Sequence, residues 1–109
     1  RRYSSEVSKA LGYIHENLSI TMTTDDVCKA IFAARSTLKK KFSDEVGMPI
    51  GTYIDTEVMS GCRQLLIETD MQISRISERY GFCDQFYFSR RFKEKFGVTP
   101  QKYRKMNSL

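Results

Sequence analysis

The sequence has no tryptophan, only two prolines and only six glycines among its 109 residues. Because it also lacks low-complexity runs, its composition does not resemble that of a disordered chain. No apolar run approaches the roughly 20 residues of a membrane-spanning helix, and no N-terminal segment resembles a signal peptide. We therefore expect a cytoplasmic globular chain with no membrane partner, long enough for one compact domain over residues 1–109 or for two very small lobes.

Cysteine and histidine are also scarce. The three cysteines, Cys28, Cys62 and Cys83, lie far apart with no Cys-x-x-Cys pair, and His15 is the only histidine. We therefore expect no metal site, no cofactor and no disulfide framework, and interpret Cys28 as a buried free thiol of a reducing compartment. Without converging acids, bases and nucleophiles, or a phosphate-binding glycine loop, an enzyme is the least favoured class.

Positive charge is concentrated in two short blocks. Residues 35–43 carry four basic residues and no acidic one, and residues 81–109 carry seven basic and two acidic residues. The stretch between them, residues 44–80, carries three basic and seven acidic residues. A surface that is merely solvated would intersperse the two signs, so the two blocks indicate two contacts with a polyanion. Two solvated helix faces are the alternative.

Residues 76–104 predict three helices in close succession. A short helix ends at a turn containing Gly81, a longer helix follows Asp84 and ends at Gly97, and Pro100 opens the last helix. Aspartate is a favourable N-cap, glycine is favoured just past a helix end, and proline suits the first helical turn.

The longer of these helices has two chemically different faces. Its inner face carries phenylalanines at steps of four, namely Phe88, Phe92 and Phe96. On a helical wheel the roughly opposite face carries Phe86, Arg90 and Lys93. A short helix, a tight turn and a helix with an apolar back and a cationic front form a helix-turn-helix, whose second helix enters a DNA major groove.

The same pattern occurs earlier in the chain. Thr23 and Asp26 have capping-box spacing before a helix whose inner face is expected to consist of Val27, Ala30 and Ile31. A second helix, RSTLKKKFSDEV, follows and ends at a glycine. After a shift of fifty positions the matched pairs are Leu38 with Phe88, Lys40 with Arg90, Lys41 with Arg91, Phe42 with Phe92, Gly47 with Gly97 and Tyr53 with Tyr103. Two copies are much more specific than one.

Residues 49–68 connect the two copies and predict one long helix. Its buried stripe is expected to contain Ile50, Tyr53, Ile54, Val58, Cys62, Leu65 and Leu66. A helix of that length is about 27–30 Å long. Adjacent major-groove faces on one side of B-DNA are ~34 Å apart, so such a connector could place the two reading helices one turn apart. Gly61 within it indicates close packing of another element.

The segment GFCDQFYFSRRFKEKFGVTPQKYR closely resembles the C-terminal signature of the AraC/XylS family of bacterial transcription regulators, and the resemblance covers about residues 7–104. It implies an all-α fold of seven helices, with helix-turn-helix lobes at about 5–48 and 70–106 joined by a linker helix at about 49–68. It also implies binding to double-stranded DNA in two successive major grooves, and transcription activation in the nucleoid. Contact with RNA polymerase and an N-terminal sensor or dimerisation domain outside these residues are further implied partners.

Carried over position by position, the resemblance implies two sets of DNA contacts. The base-reading set is Ser36, Lys39, Lys40, Gln85, Phe86 and Arg90. The phosphate-binding set is Arg35, Thr37, Lys41, Ser89, Arg91 and Lys93. Arginine and lysine suit guanine, and glutamine suits adenine. Phe86 could touch a thymine methyl group or pack on a neighbouring helix.

Three positions depart from the family pattern. Phe32 stands where the first turn usually has glycine, and Val58 stands where the linker usually has arginine. Ala34 replaces a capping serine or threonine, a change that costs about 1 kcal/mol of helix stability. We therefore expect the first lobe to deviate more from the family geometry than the second.

A basic helical interaction module, which would bind an acidic protein or a membrane surface, is the alternative function. The doubled helix-turn-helix argues against it, because a surface amphipathic helix needs no second copy at matched spacing. Salt-insensitive binding to protein, or lipid binding without duplex binding, would favour the module.

Overall fold

The computed structural model describes residues 2–108, and in this range the chain forms seven α-helices and no strand. The helices are α1 (Ser5–Glu16), α2 (Thr24–Ile31), α3 (Arg35–Val46), α4 (Ile50–Glu68), α5 (Ile73–Arg79), α6 (Gln85–Phe96) and α7 (Pro100–Met106). The predicted all-α fold with one long connecting helix is confirmed, since α4 alone has 19 residues.

The chain folds into two compact units. Unit 1 contains the residues through Leu18 together with Met22–Thr56, and unit 2 contains Ser19–Thr21 and the residues from Glu57 onward. Helices α1 to α3 belong to unit 1, helices α5 to α7 belong to unit 2, and α4 contributes to both. The lobe boundaries expected from the sequence stay a prediction.

The core of unit 1 collects one face of each of its helices. Its fully buried side chains are Val7, Ala10, Ile14, Val27, Leu38 and Phe42. Phe42 also meets Tyr53 edge to face, with ring centroids 5.5 Å apart. Full burial of a side chain such as leucine or phenylalanine contributes about 1.5–3 kcal/mol. These contacts hold the back of α3 against α1 and α2 and leave its opposite face outside.

One expected core residue of α2 lies on the surface. Ala30 is exposed, whereas Cys28 is buried beside Val27. At 3.6 residues per turn, Cys28 shares a face with Val27 and the half-buried Ile31, and Ala30 falls outside it. The expectation for Ala30 was therefore wrong, and the free thiol of Cys28 is buried as predicted.

Unit 2 repeats the packing of unit 1 in an aromatic form. Its buried side chains include Ile76, Phe82, Phe88 and Phe92. Phe92 meets Tyr103 edge to face at 5.5 Å and 72°, the counterpart of the Phe42–Tyr53 pair at 5.5 Å and 70°. The doubling read from the sequence is therefore also a doubling of core contacts.

The helix ends follow the capping residues. Thr23 and Asp26 form the reciprocal capping box at the start of α2. Asp84 caps α6, its Oδ1 accepting a 2.7 Å hydrogen bond from the backbone N–H of Tyr87. Gly47 and Gly97 end α3 and α6 in the left-handed conformation, with φ of 94° and 85°. These residues fix the start of α2, both ends of α6 and the end of α3.

Two local details of unit 2 involve α4. A Cβ on Gly61 would lie 2.8 Å from Cζ of Tyr80, so the glycine makes room for this ring, as its place in the helix indicated. Arg104 donates from Nε to the carbonyl of Leu66 at 3.0 Å and from Nη2 to that of Thr69 at 3.2 Å. The signature arginine therefore satisfies carbonyls at the end of α4, where no helical partner remains.

Candidate nucleic-acid interface

The outer face of α3 carries the residues assigned to DNA in the first copy. Leu38 and Phe42 are fully buried. The opposite and flanking positions are exposed at Arg35, Ser36, Thr37, Lys39 and Lys40, while Lys41 is half-buried. Because the back of the helix is fixed by its core residues, these side chains form one polar surface that a duplex can approach.

Three of the cations on this surface already have acidic partners. Arg35 Nη1 lies 2.9 Å from Asp25 Oδ1, and Lys40 Nζ lies 3.3 Å from Asp44 Oδ2. A third pair joins Lys41 on α3 to Glu6 on α1. Exposed ion pairs are weak, about 0–1 kcal/mol, so each acid can be exchanged for a phosphate at small cost.

The pair between Lys41 Nζ and Glu6 Oε2, at 2.8 Å, is the shortest of these contacts. The hydrogen bond between them lowers the pKa of the Glu6 carboxyl and raises the pKa of the Lys41 ammonium. Both charges are therefore retained at neutral pH, so Glu6 and an approaching phosphate would compete for Lys41.

The turn before α3 is unusual at two positions. Phe32 has φ 57° and ψ 43°, the left-handed region, and its side chain is 96% exposed. It is the only non-glycine residue with positive φ in residues 2–108. Ala34 occupies the N-cap position of α3 and offers no side-chain hydrogen bond. Two of the three departures read from the sequence therefore fall at the entry to α3.

The outer face of α6 carries the residues assigned to DNA in the second copy. Gln85, Phe86, Arg90 and Lys93 are exposed, and Ser89 and Arg91 are half-buried. The ring of Phe86 is 74% exposed, which favours contact with a partner over packing on a neighbouring helix. Gln85, Phe86 and Ser89 line a shallow groove of about 250 Å³ together with Ile73, Thr99, Pro100 and Gln101.

The two adjacent arginines of α6 meet the same aromatic ring. The guanidinium carbon of Arg90 lies 5.6 Å from the centroid of Tyr87, and that of Arg91 lies 5.8 Å from it. Arg91 Nη1 also donates to the Tyr87 hydroxyl at 3.1 Å, and its Nε lies 4.0 Å from Glu94 Oε1. Tyr87 was not predicted as a site residue, although its position three and four residues before the arginines places it beside both on a helix.

Other kinds of site have little support in the part of the chain that the structure describes. Residues 2–108 contain no group of three or more His, Cys, Asp or Glu side chains placed to hold a metal ion. Within the same range, none of the helices combines the length and the apolar character that crossing a membrane requires. Cys62 is buried, and its burial raises the pKa of its thiol to about 12, so it stays a neutral thiol at physiological pH.

Comparison with known proteins gives consistent matches. The family model described as a helix-turn-helix domain matches residues 27–106. The xylose operon regulatory protein of Escherichia coli K12 is 36% identical over 102 residues, which are 94% of this chain and 26% of that protein. The chain thus spans about a quarter of the length of this relative. The HTH-type transcriptional activator AarP of Providencia stuartii is 33% identical over 93% of this chain and 75% of its own length.

The fold has close counterparts among solved structures. The C-terminal domain of AraT, a response regulator from Geobacillus stearothermophilus, superposes with a TM-score of 0.91 at 28% identity. That match covers 100% of this chain and 91% of the other. Together with the doubled motif and the two exposed reading faces, these similarities show that the chain belongs to the AraC-type family of helix-turn-helix DNA-binding transcription regulators.

Proposed function

We propose that both helix-turn-helix copies read base sequence, each inserting its reading helix into a major groove of the same duplex. The two half-sites would lie in successive grooves, about 10 base pairs apart from centre to centre. Phosphate contacts would supply most of the affinity, and outward side chains near the start of α3 and α6 would supply the specificity. Because one chain carries two such helices, binding of this kind does not require dimerisation.

The observation that carries this proposal is the matched construction of α3 and α6. In each helix the inner positions are fully buried, Leu38 and Phe42 in one and Phe88 and Phe92 in the other. In each helix the matched outer cation, Lys40 or Arg90, is exposed. A helix locked at its back with polar and cationic groups in front is what major-groove recognition requires.

We assign the base-reading role to Ser36, Lys39, Lys40, Gln85, Phe86 and Arg90. Arg90 would form the bidentate pair with guanine O6 and N7, and Gln85 would pair with adenine N6 and N7. Phe86, with its exposed ring, would contact a thymine methyl group. Lys40 is a point charge rather than a planar fork, so it would read guanine less strictly.

We assign the phosphate-binding role to Arg35, Thr37, Lys41, Ser89, Arg91 and Lys93. Most of these residues flank the two outer faces, where the DNA backbone would pass on either side of the groove, and Lys93 lies on the outer face of α6 toward its C-terminal end. Each cation that meets a phosphate should contribute about one unit to the slope of log affinity against log salt. Arg35 and Lys41 would exchange Asp25 and Glu6 for phosphate on binding.

Selection from a random pool of duplexes of about 24 base pairs, at near-physiological salt, tests the proposal. Enrichment of two short motifs about 10 base pairs apart is the expected result. Enrichment of a single motif would mean that the first copy binds phosphates without reading bases. Salt-sensitive binding without enrichment would reduce the chain to a non-specific binder, and lipid or acidic-protein binding without duplex binding would replace the proposal with the interaction module.

The role of Arg90 can be tested on the most enriched duplex. Arg90→Ala should cost roughly 1–3 kcal/mol and relax the base preference within one half-site. Lys41→Ala is the matched phosphate variant, and it should weaken all sequences alike while lowering the salt slope by about one. Equal weakening of all sequences by Arg90→Ala would contradict its base-reading role.

For the full-length protein we propose an activator of bacterial transcription that works in the cytoplasm at the nucleoid. The support is the Providencia relative AarP, which is a transcriptional activator. RNA polymerase is the partner that activation requires, and a sensor or dimerisation domain would supply the signal. We propose no catalytic activity for this chain, since it belongs to a family of DNA-binding transcription regulators. Transcription in vitro from a promoter carrying the selected duplex, with and without the protein, tests the activator role.

A further inference from the structure

We infer that Tyr87 is a positioning residue that gives the adjacent Arg90 and Arg91 their two different roles on DNA. This inference rests on the proposed function, because it takes Arg90 as a base reader and Arg91 as a phosphate contact. Tyr87 itself is half-buried and touches no base in this assignment. It would act through its ring on Arg90 and through its hydroxyl on Arg91.

Tyr87 is held in place from two sides. Its backbone N–H donates to the capping carboxylate of Asp84 at 2.7 Å, which fixes it in the first turn of α6. Its ring lies 5.9 Å, centroid to centroid, from the buried ring of Phe82. With its backbone held by the helix cap and its ring beside the core, Tyr87 is a rigid support for its neighbours.

The ring of Tyr87 restrains Arg90. The guanidinium carbon of Arg90 lies 5.6 Å from the ring centroid, within the range of a cation–π contact. Because Tyr87 lies three residues before Arg90, the contact draws the guanidinium toward the N-terminal end of α6. That is the end of a recognition helix whose residues contact base edges. The ring thus restricts the side chain of Arg90 before binding, so that Arg90 loses fewer conformations when it binds a guanine.

The hydroxyl of Tyr87 directs Arg91 elsewhere. It accepts a hydrogen bond of 3.1 Å from Nη1 of Arg91. Glu94 Oε1 lies 4.0 Å from Nε of the same guanidinium, whose side chain is 28% exposed. Arg91 is therefore held along the flank of α6, where the phosphate backbone would pass, rather than over the base-reading face.

The first copy of the motif lacks this arrangement. Thr37 is the counterpart of Tyr87 at a separation of fifty positions, so α3 has no aromatic ring at this place. There Lys40, the counterpart of Arg90, pairs at 3.3 Å with Asp44, four residues toward the C-terminal end. The candidate reader of the first copy is thus drawn away from the reading end, whereas that of the second copy is drawn toward it. At this place the two copies therefore differ in having Tyr87 in α6 and Thr37 in α3.

The test measures a discrimination ratio. This is the affinity for the most enriched duplex divided by the affinity for the same duplex with the second copy's half-site substituted. Tyr87→Leu keeps bulk against Phe82 but removes the ring face, and it should lower the ratio about two- to fivefold. Tyr87→Phe keeps the ring, so it should retain the ratio while weakening both duplexes alike, roughly two- to tenfold.

Phe96→Leu is the matched control. Phe96 is also a half-buried aromatic residue of α6, with the guanidinium of Arg63 5.0 Å from its centroid, but it lies at the C-terminal end of the helix. This variant should lose stability and keep the ratio. All variants are measured below their unfolding transitions, which are followed by circular dichroism.

The outcomes separate this inference from the proposed function. If Arg90→Ala lowers the ratio and Tyr87→Leu leaves it unchanged, Arg90 reads bases without help from Tyr87 and the inference is wrong. The same holds if Tyr87→Phe lowers the ratio as much as Tyr87→Leu, or if Phe96→Leu lowers it equally. If Arg90→Ala itself leaves the ratio unchanged, the base-reading assignment of the proposed function fails.

Discussion

Replacing Phe32 with glycine is expected to stabilise this protein, although it removes a large side chain. The left-handed conformation of Phe32, φ 57° and ψ 43°, costs a residue with a Cβ roughly 1–2 kcal/mol. Glycine avoids this cost but loses about 0.5–1 kcal/mol more conformational entropy on folding. Little apolar burial is lost, because the Phe32 side chain is 96% exposed. We expect a net gain of about 0.5–1 kcal/mol in the free energy of unfolding.

Urea unfolding followed by circular dichroism measures this difference, provided that the slope with denaturant stays the same. Phe32→Ala is the matched control, because alanine removes the ring but keeps the strained backbone, and we expect it to change stability little. A third variant, Phe32→Asn, should fall between the two, since asparagine tolerates the left-handed region. Gly81, with φ 83°, shows the same conformation at the end of the first helix of the second copy.

Two results would refute the reasoning. If Phe32→Ala gains as much stability as Phe32→Gly, the ring and not the backbone is the source of the cost. If Phe32→Gly loses stability, the ring of Phe32 stabilises the fold in a way that its exposure does not indicate. In either case the turn before α3 would not be strained as its dihedral angles imply.

Other changes have equally definite expectations. Ala34→Ser should supply the missing cap of α3 and raise the free energy of unfolding by about 0.5–2 kcal/mol in the same urea assay, and no gain would mean that the cap is not formed. Gly51→Ala in α4 meets no atom within 4 Å and should gain up to ~1 kcal/mol, whereas Gly61→Ala should gain nothing or lose stability because its Cβ would strike Tyr80. Equal gains at both glycines would show that Tyr80 moves aside freely. Since the pKa of Glu6 is lowered on folding, its ion pair stabilises the protein above its ordinary pKa of 4.5 and is lost as pH falls through the lowered value. The stability difference between wild type and Glu6→Gln should therefore shrink from pH 7 to pH 3, and a constant difference would contradict the pair's contribution.

Much of the fold could be predicted because its signals are local. Three kinds of signal act within a few residues, and all were read correctly. They are the phenylalanines at steps of four, the capping residues Thr23 and Asp84, and the glycines that end α3 and α6. Ala30 shows the limit of such reading. The apolar face of a short helix is ambiguous in the sequence. In the structure, α2 packs with Cys28 rather than Ala30 in the core.

The candidate site divides in the same way. The sequence by itself predicted which faces of α3 and α6 are buried and which are exposed, because the helical spacing of apolar residues fixes both. It did not determine the partners of the outward cations. The contact of Lys41 with Glu6 joins residues 35 positions apart. The one ring shared by Arg90 and Arg91 depends on the rotamer of Tyr87, whose ring lies beside that of Phe82. Helical period and caps are encoded residue by residue, whereas the choice among alternative side-chain partners depends on distances that only the packed tertiary structure sets.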